Sequence, residues 1–218
     1  MKIIICCEGP TDIGPITSLM KKCFPSHKLE IDCRTHAELR KTALLKSELP
    51  RGFIKEGPRL NRIAFIRRLW HEANTAKSEY VGLHQDLGHL DFPKIYQDIH
   101  NDFNIVLPST IKRIAIIPKE MIESWLLADE RAYPTIPDSP KLPAKPEELW
   151  GQKGDPVSNY PYNYFVRVLA QFRLADNRDI YAEIAEKISI EALLLRCPVS
   201  FGQFHADMQA FIAPEGQP

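Results

Sequence analysis

The sequence predicts an α/β fold: a mainly parallel central sheet with helices on both faces, followed by a helical C-terminal part. Three observations predict it. Short continuous apolar runs, of the kind found in strands covered on both faces, alternate with stretches of helical period. After residue 129 the composition shifts to a proline-rich stretch, and only helical patterns follow. The 218 residues, 44% hydrophobic and 26% charged, suffice for a domain with a real core plus a helical appendage.

Lys2–Cys7 is the first strand. Thr11 or Asp12 can cap the next helix, with Pro15 in its first turn. Ile16, Leu19, Met20 and Cys23 share one face of that helix, which ends near Phe24-Pro25. His27–Arg34 alternates Leu29, Ile31 and Cys33 as a second strand, and 36–57 is ambiguous. Arg59–Ala73 is a basic helix with Ile63, Ile66, Leu69 and Trp70 inward. Glu79–His84 is a strand, Phe92–Phe103 a helix, Lys112–Ile117 the fourth strand and Lys119–Asp129 a helix after Pro118. Seven prolines between Tyr133 and Pro161 impose a meandering loop with one helical turn at Glu147–Trp150. Helices then cover Tyr162–Phe172, Arg178–Lys187 and Ile190–Arg196. A last one opens on a capping box at Ser200–Gln203 and carries Phe201, Phe204, Met208, Phe211 and Ile212 on one face. The expected organisation is therefore an α/β domain over 1–130, with a basic helical insert at about 35–75, and a part over 131–218 packed on the same domain.

Lys+Arg and Asp+Glu both number 28, so net charge alone points to no polyanionic partner. The charge is uneven, however. Arg34–Arg68 holds ten Lys and Arg against three acids, a net +7. Such a window is either a solvated helical insert or a positive surface for a phosphate backbone, with Arg59, Arg62, Arg67 and Arg68 the candidate contacts. No apolar run reaches the roughly 18 residues of a membrane span, and the N-terminal run is too short for a signal peptide. Five cysteines without C-x-x-C spacing fit thiols in a reducing cytoplasm. No P-loop and no G-x-S-x-G elbow is present.

The chemistry-bearing residues follow the strands. Glu8 follows the first, Asp86 and Asp91 the third, and Glu120 and Glu123 the fourth. In an open parallel sheet, ligands gather beyond the carboxyl ends of strands. Magnesium or manganese, as hard cations, would be held by such oxygens. Acids after strands also serve as helix caps and dipole partners; Asp12 and Glu120 suit that role, and Glu8, separated from the helix by a Gly-Pro-Thr turn, suits it less. His84, Asp86, His89 and Asp91 could also hold manganese or zinc, although histidines in a polar loop are more often solvated or capping.

"CCEGPTD" after a strand, with a later acid motif after another strand, resembles the TOPRIM domain of topoisomerases, primases, small ribosomal-RNA maturases and OLD (overcoming lysogenisation defect) nucleases. The chain is most similar to a bacterial TOPRIM-like family of poorly defined function found in phage-defence loci. The blocks "CCEGPTD", "GLHQDLGHLD", "IPKEMIESWLLAD", "EELWG" and "CPVSFGQF" carry that likeness in order along nearly the whole chain. The resemblance implies a cytoplasmic, magnesium- or manganese-dependent nuclease working in antiviral defence with a partner ATPase, with no membrane association and with homo-oligomers allowed. It assigns Glu8 as general base or metal ligand, Asp86 as the first acid of D-x-D, and Glu123 as the acid of the E-x-W-L-L-A-D block; Asp91 is a candidate replacement ligand. The second D-x-D position falls on Gly88, a departure. The alternative it leaves open is a catalytically degenerate subunit that binds nucleic acid or a partner protein without cleaving.

Overall fold

The computed structural model describes residues 1–25, 27–41, 58–136 and 139–212. The basic-window residues Lys46, Arg51 and Lys55 lie outside them. The chain divides into two compact units, one of Met1–Pro10, Ser26–Gln85 and Asp91–Ile116, the other of Thr11–Pro25, Asp86–Leu90 and Ile117–Pro218.

The first unit is built on a four-stranded, all-parallel sheet in the order β2-β1-β3-β4, with β1 Lys2–Cys7, β2 Glu30–Thr35, β3 Tyr80–His84 and β4 Lys112–Ile116. β1 is a central strand, with Ile5 opposite Cys33 on one side and Gly82 on the other. From Ile3 to Cys7 every side chain is buried, which is why the run shows no alternation. β2 is an edge strand and mostly half-exposed, consistent with its charges. At its end Thr35 and Glu38 form a capping box for α2 (His36–Lys41). The Thr35 amide donates to Glu38 Oε2 at 2.7 Å and the Glu38 amide to Thr35 Oγ1 at 3.2 Å. α3 (Pro58–Ala76) packs on β1, on β3 and on α4 (Phe92–Val106). Phe65, Ile66, Leu69 and Ala73 are buried on it, whereas Ile63 and Trp70, expected inward, are only half-buried.

The second unit is helical. Its elements are α1 (Ile13–Cys23), α5 (Ile122–Leu126), α6 (Pro161–Gln171), α7 (Arg178–Lys187), α8 (Ile190–Arg196) and α9 (Ser200–Ile212), with 3-10 turns at Glu130–Ala132 and Pro146–Glu148. Asp12 stands at the N-cap of α1. Gly14 allows α1 to lie close against α7: a Cβ there would sit 2.8 Å from the Cβ of Ala182. Among the described residues no helix is long and apolar enough to cross a membrane. All five cysteines are thiols; burial pushes that of Cys23 up to about 12.

The core of this unit is aromatic. Trp125 of α5 is fully buried, edge-on to Phe201 at 5.2 Å and tilted against Phe204 at 5.6 Å. Its indole N–H donates to Ser200 Oγ at 2.8 Å. The Ser200 hydroxyl in turn donates to the carboxylate of Glu147, which also accepts the amides of Ser200 at 2.7 Å and Val199 at 3.1 Å. Thus the start of α9 is capped by a glutamate from a distant loop. The expected Ser200–Gln203 capping box does not form; Gln203 donates instead to Asp207, one turn on. The proline-rich segment is pinned by the Asn163 amide, which donates to the carbonyls of Asp155 at 2.7 Å and Lys153 at 3.1 Å.

α5 is shorter than the helix expected from Lys119 to Asp129. Glu120 has φ +66 and Met121 is extended, so helical geometry begins only at Ile122.

Removing the Glu147 carboxylate would strand two helix-start amides and the Ser200 hydroxyl inside the protein. Glu147→Ala should therefore lower the unfolding free energy by on the order of 3 kcal/mol, and Glu147→Gln by less. Urea denaturation measures both; wild-type stability for Glu147→Ala would remove the capping role.

Candidate functional site

The strand order fixes where a site can form. The chain leaves β1 to one side for β2 and to the other for β3, so the topological switch point is at the carboxyl ends of β1 and β3. Glu8, the first residue after β1, is exposed there. Its amide N–H donates to Nδ1 of His84 at 3.4 Å. His84 is the last residue of β3 and fully buried. An Nδ1 that accepts leaves the proton of the neutral ring on Nε2. This corrects the reading of His84 as one of several histidines in a polar loop: it is a core residue fixing the backbone at Glu8.

The other expected acids are distributed between the units. Asp91 belongs to the first, where it is exposed at the N-cap position of α4. Asp86 and Glu123 belong to the second. Asp86 is half-buried, two residues past the end of β3. Glu123 is buried in α5. Its charge, after burial itself, raises the Tyr181 phenol, and the same two influences follow the Asp176 hydrogen bond in raising Tyr162. Both tyrosines donate to the Asp176 carboxylate, at 3.1 and 3.0 Å. Sequence reasoning missed this acid–phenol cluster beside Glu123, because no local spacing links Tyr162, Asp176 and Tyr181.

Gly88 occupies a left-handed turn with φ +58. Its amide donates to the Glu120 carbonyl at 3.0 Å in an isolated antiparallel bridge, and no atom lies within 4 Å of where a Cβ would be. The backbone there favours glycine, although there is room for a side chain. Glu120, across the bridge, is no helix cap: its carboxylate is buried, with Oε2 3.5 Å from Nδ1 of His89. Burial raises its pKa, against the opposing pull of His89 and Lys119.

Asp129 closes the "IESWLLAD" block as a structural acid. It accepts from Arg131 through both the backbone amide and the guanidinium, and from the Ser189 amide at 3.0 Å. Burial would raise its pKa, but these hydrogen bonds outweigh it and bring it to about 2.

The arginines of the basic window are used unequally. The Arg59 side chain lies outside the described residues. Arg62 is buried, with Nε 2.9 Å from Asp102, itself fully buried. A guanidinium committed to a core carboxylate is not available to phosphate, and this removes Arg62 from the candidate contacts. Arg68 is half-buried and pairs with Glu72 at 3.1 Å. Glu72 also holds Arg34, which pairs with Asp32, around a cavity of about 400 Å³. Arg67 is exposed.

Among the described residues no three His, Cys, Asp or Glu side chains are grouped as a metal site. No protein-family model matches the chain, and comparison with curated proteins and with solved structures finds no match.

Asp129 supplies a pH-dependent test. Its folded pKa lies below the unfolded value, so its contribution is complete above about pH 4 and is lost as pH falls toward 2. Asp129→Asn should lower stability at pH 7, by on the order of 2 kcal/mol. The gap from wild type should close on acidification through that window. A gap independent of pH in thermal melts would show that the carboxylate charge is not what Asp129 contributes.

Proposed function

We propose that the chain is a TOPRIM-like hydrolase of nucleic-acid phosphodiester bonds dependent on magnesium or manganese. The observation that carries this reading is Glu8: an exposed carboxylate at the carboxyl end of a central parallel strand, on the switch point, with its backbone held by His84. Glu8 is the exposed residue at the end of a buried run, and Asp12, not Glu8, stands at the cap of α1.

The carboxylates suit a hard cation, which commonly needs only one or two of them together with water and substrate phosphate. Glu8 is the proposed principal ligand in the first unit, where Asp91 is a further acid; Asp86 and Glu123, in the second unit, are candidates on the resemblance alone. A bound cation supplies Lewis-acid stabilisation of the phosphoryl oxygens. Glu8, if not itself a ligand, accepts the proton of the attacking water. Contact with the phosphate backbone falls to Arg67, Arg68 and Arg59, and so should weaken steeply with salt. An ATPase partner and a role in antiviral defence follow from the family resemblance alone.

One observation favours the second reading, a non-cleaving TOPRIM-like subunit. Gly88 stands at the second D-x-D position, in a backbone conformation unfavourable to an acid.

A cleavage assay on single- and double-stranded DNA and RNA, with magnesium and with manganese, separates the two. Glu8→Gln should reduce cleavage by on the order of 10²- to 10⁴-fold while leaving thermal stability unchanged. Gly88→Asp should raise metal affinity, with Gly88→Asn as the control for backbone strain. Cleavage undiminished in Glu8→Gln would eliminate Glu8 as the reagent. If wild type fails to cleave, with or without a co-encoded ATPase, the non-cleaving reading holds.

A further inference from the structure

The second unit carries a cavity of about 390 Å³ that the phosphodiesterase reading does not use. Its volume is that of a ligand pocket, about 300–1,000 Å³. Its wall combines apolar surface with acid. Leu90, Leu149 and Trp150 supply the apolar part, and Trp150 is 68% exposed, edge-on to His89 at 6.1 Å. Beside them stand three carboxylates, of Glu120, Glu147 and Glu148, and one ammonium, of Lys119. The three acids differ in what they offer. Glu147 is committed to the start of α9. Glu148 pairs with Lys145 at 2.9 Å, both side chains mostly exposed, and such a partner is easily exchanged. The Oε2 of Glu120 has no accessible surface and lies 3.5 Å from His89, so Glu120 acts on an occupant through its field and not by contact. Burial raises its pKa against the pull of His89 and Lys119, so the positive charge already present does not offset the burial of this acid. Apolar surface continues past the cavity. Leu90 is 54% exposed, and Val199, 45% exposed, is tied to the same wall by its amide, which donates to Glu147. Exposed apolar residues around a charged depression mark an interaction surface.

We infer that this surface docks a partner protein through an arginine side chain that enters the cavity. The guanidinium lies over the Trp150 indole, pairs with Glu148 and offsets part of the buried charge of Glu120. Apolar residues flanking the arginine rest on Leu90 and Val199. Charge decides the sign of the occupant: acids outnumber lysine on the wall, so an anion is repelled. The apolar lining decides between the two basic side chains. An ammonium is strongly hydrated and loses more on entering such a wall, whereas a guanidinium is planar, weakly hydrated and stacks on an indole. Val199 decides for a protein over a free amine, because a small cation in the cavity would leave this residue, which does not line it, in water. Lys119 limits the affinity by repelling the guanidinium, and its removal should strengthen docking. The inference does not rest on the phosphodiesterase reading, and it uses no residue assigned to that reaction.

The test is fluorescence anisotropy of labelled peptides titrated with the full chain in EDTA. The probes are a peptide with one arginine between two leucines, the same peptide with citrulline or lysine at the centre, and the arginine peptide with glycines in place of the leucines. Citrulline keeps the shape of arginine and lacks its charge. Agmatine, a free alkylguanidine, serves as competitor. The arginine peptide should bind about tenfold more tightly than the citrulline peptide, with lysine between them. The glycine-flanked peptide should bind more weakly than the leucine-flanked one. Trp150→Ala and Glu148→Lys should each weaken binding by about tenfold with the melting temperature unchanged, since both positions are exposed. Lys119→Gln should tighten binding, a gain that misfolding cannot produce. Equal affinity for the arginine and citrulline peptides overturns the proposal, as do absence of binding at millimolar peptide, unaltered binding in Trp150→Ala and unaltered binding in Lys119→Gln. Agmatine binding as tightly as the arginine peptide, with no gain from the leucines, would make the cavity a small-cation site and overturn protein docking.

Discussion

The carboxylate of Glu147 organises the second unit. A helix begins with amides that lack intrahelical partners, and α9 begins where water is excluded, against the buried indole of Trp125. Glu147 takes two of those amides and the Ser200 hydroxyl, and the helix dipole favours its charge there. Ser200 passes the connection on to Trp125. Three segments remote in sequence are locked by one chain of hydrogen bonds, and these are the segments that contain "EELWG", "CPVSFGQF" and "IESWLLAD". Their joint presence therefore reflects a demand of folding. Those contacts account for Trp125, Glu147 and Ser200 by folding, and leave Glu123 of the same block to be weighed with Glu8 and Asp86 as a functional acid.

The acids sort by how their charge is satisfied. Asp102 is matched by Arg62 inside the first unit, Asp129 by Arg131 and the Ser189 amide, and Glu147 by the start of α9. Each would be costly to bury without its partner, and each therefore belongs to the fold. Glu8 differs in being exposed at the end of a strand that is otherwise wholly inside. The buried imidazole of His84 holds its amide and leaves the carboxylate facing outward. The fold fixes the backbone of Glu8 at an exposed strand end, a condition favourable to a reagent.

Legibility in the sequence followed the range of the interactions. The four strands and most helices were readable because each is encoded by local periodicity, and the parallel sheet followed from their alternation. Local rules failed where a remote group intervened. Ser200–Gln203 has the pattern of a capping box, but Glu147, more than fifty residues earlier in the chain, occupies the amides. Thr35–Glu38 is a true box that the sequence does not single out, because it opens a six-residue helix in a segment with no clear period. Arg62 looked like a member of a basic surface; only the buried position of Asp102 on another helix reveals it as a core ion pair. The acids after the strands were legible one by one from sequence, whereas their environments, buried for Glu123 and exposed for Asp91, depend on tertiary structure.

The bridge between Gly88 and Glu120 reverses the expected placement of residue types. Both positions are left-handed, at φ +58 and +66. Glycine occupies the first, where the resemblance calls for an acid, and an acid occupies the second, where the backbone calls for glycine. If the loop were selected only for its turn, both positions would be glycine, since each left-handed non-glycine costs on the order of 1 kcal/mol. If it were selected only for a carboxylate pair after β3, Gly88 would be Asp, and space for that side chain exists. The observed arrangement satisfies neither demand alone. It keeps one acid in this loop pair, moves it across the bridge to the β4 side, and buries it beside His89 at the expense of backbone strain. Glu120 therefore carries a conformational cost that glycine at the same position would not.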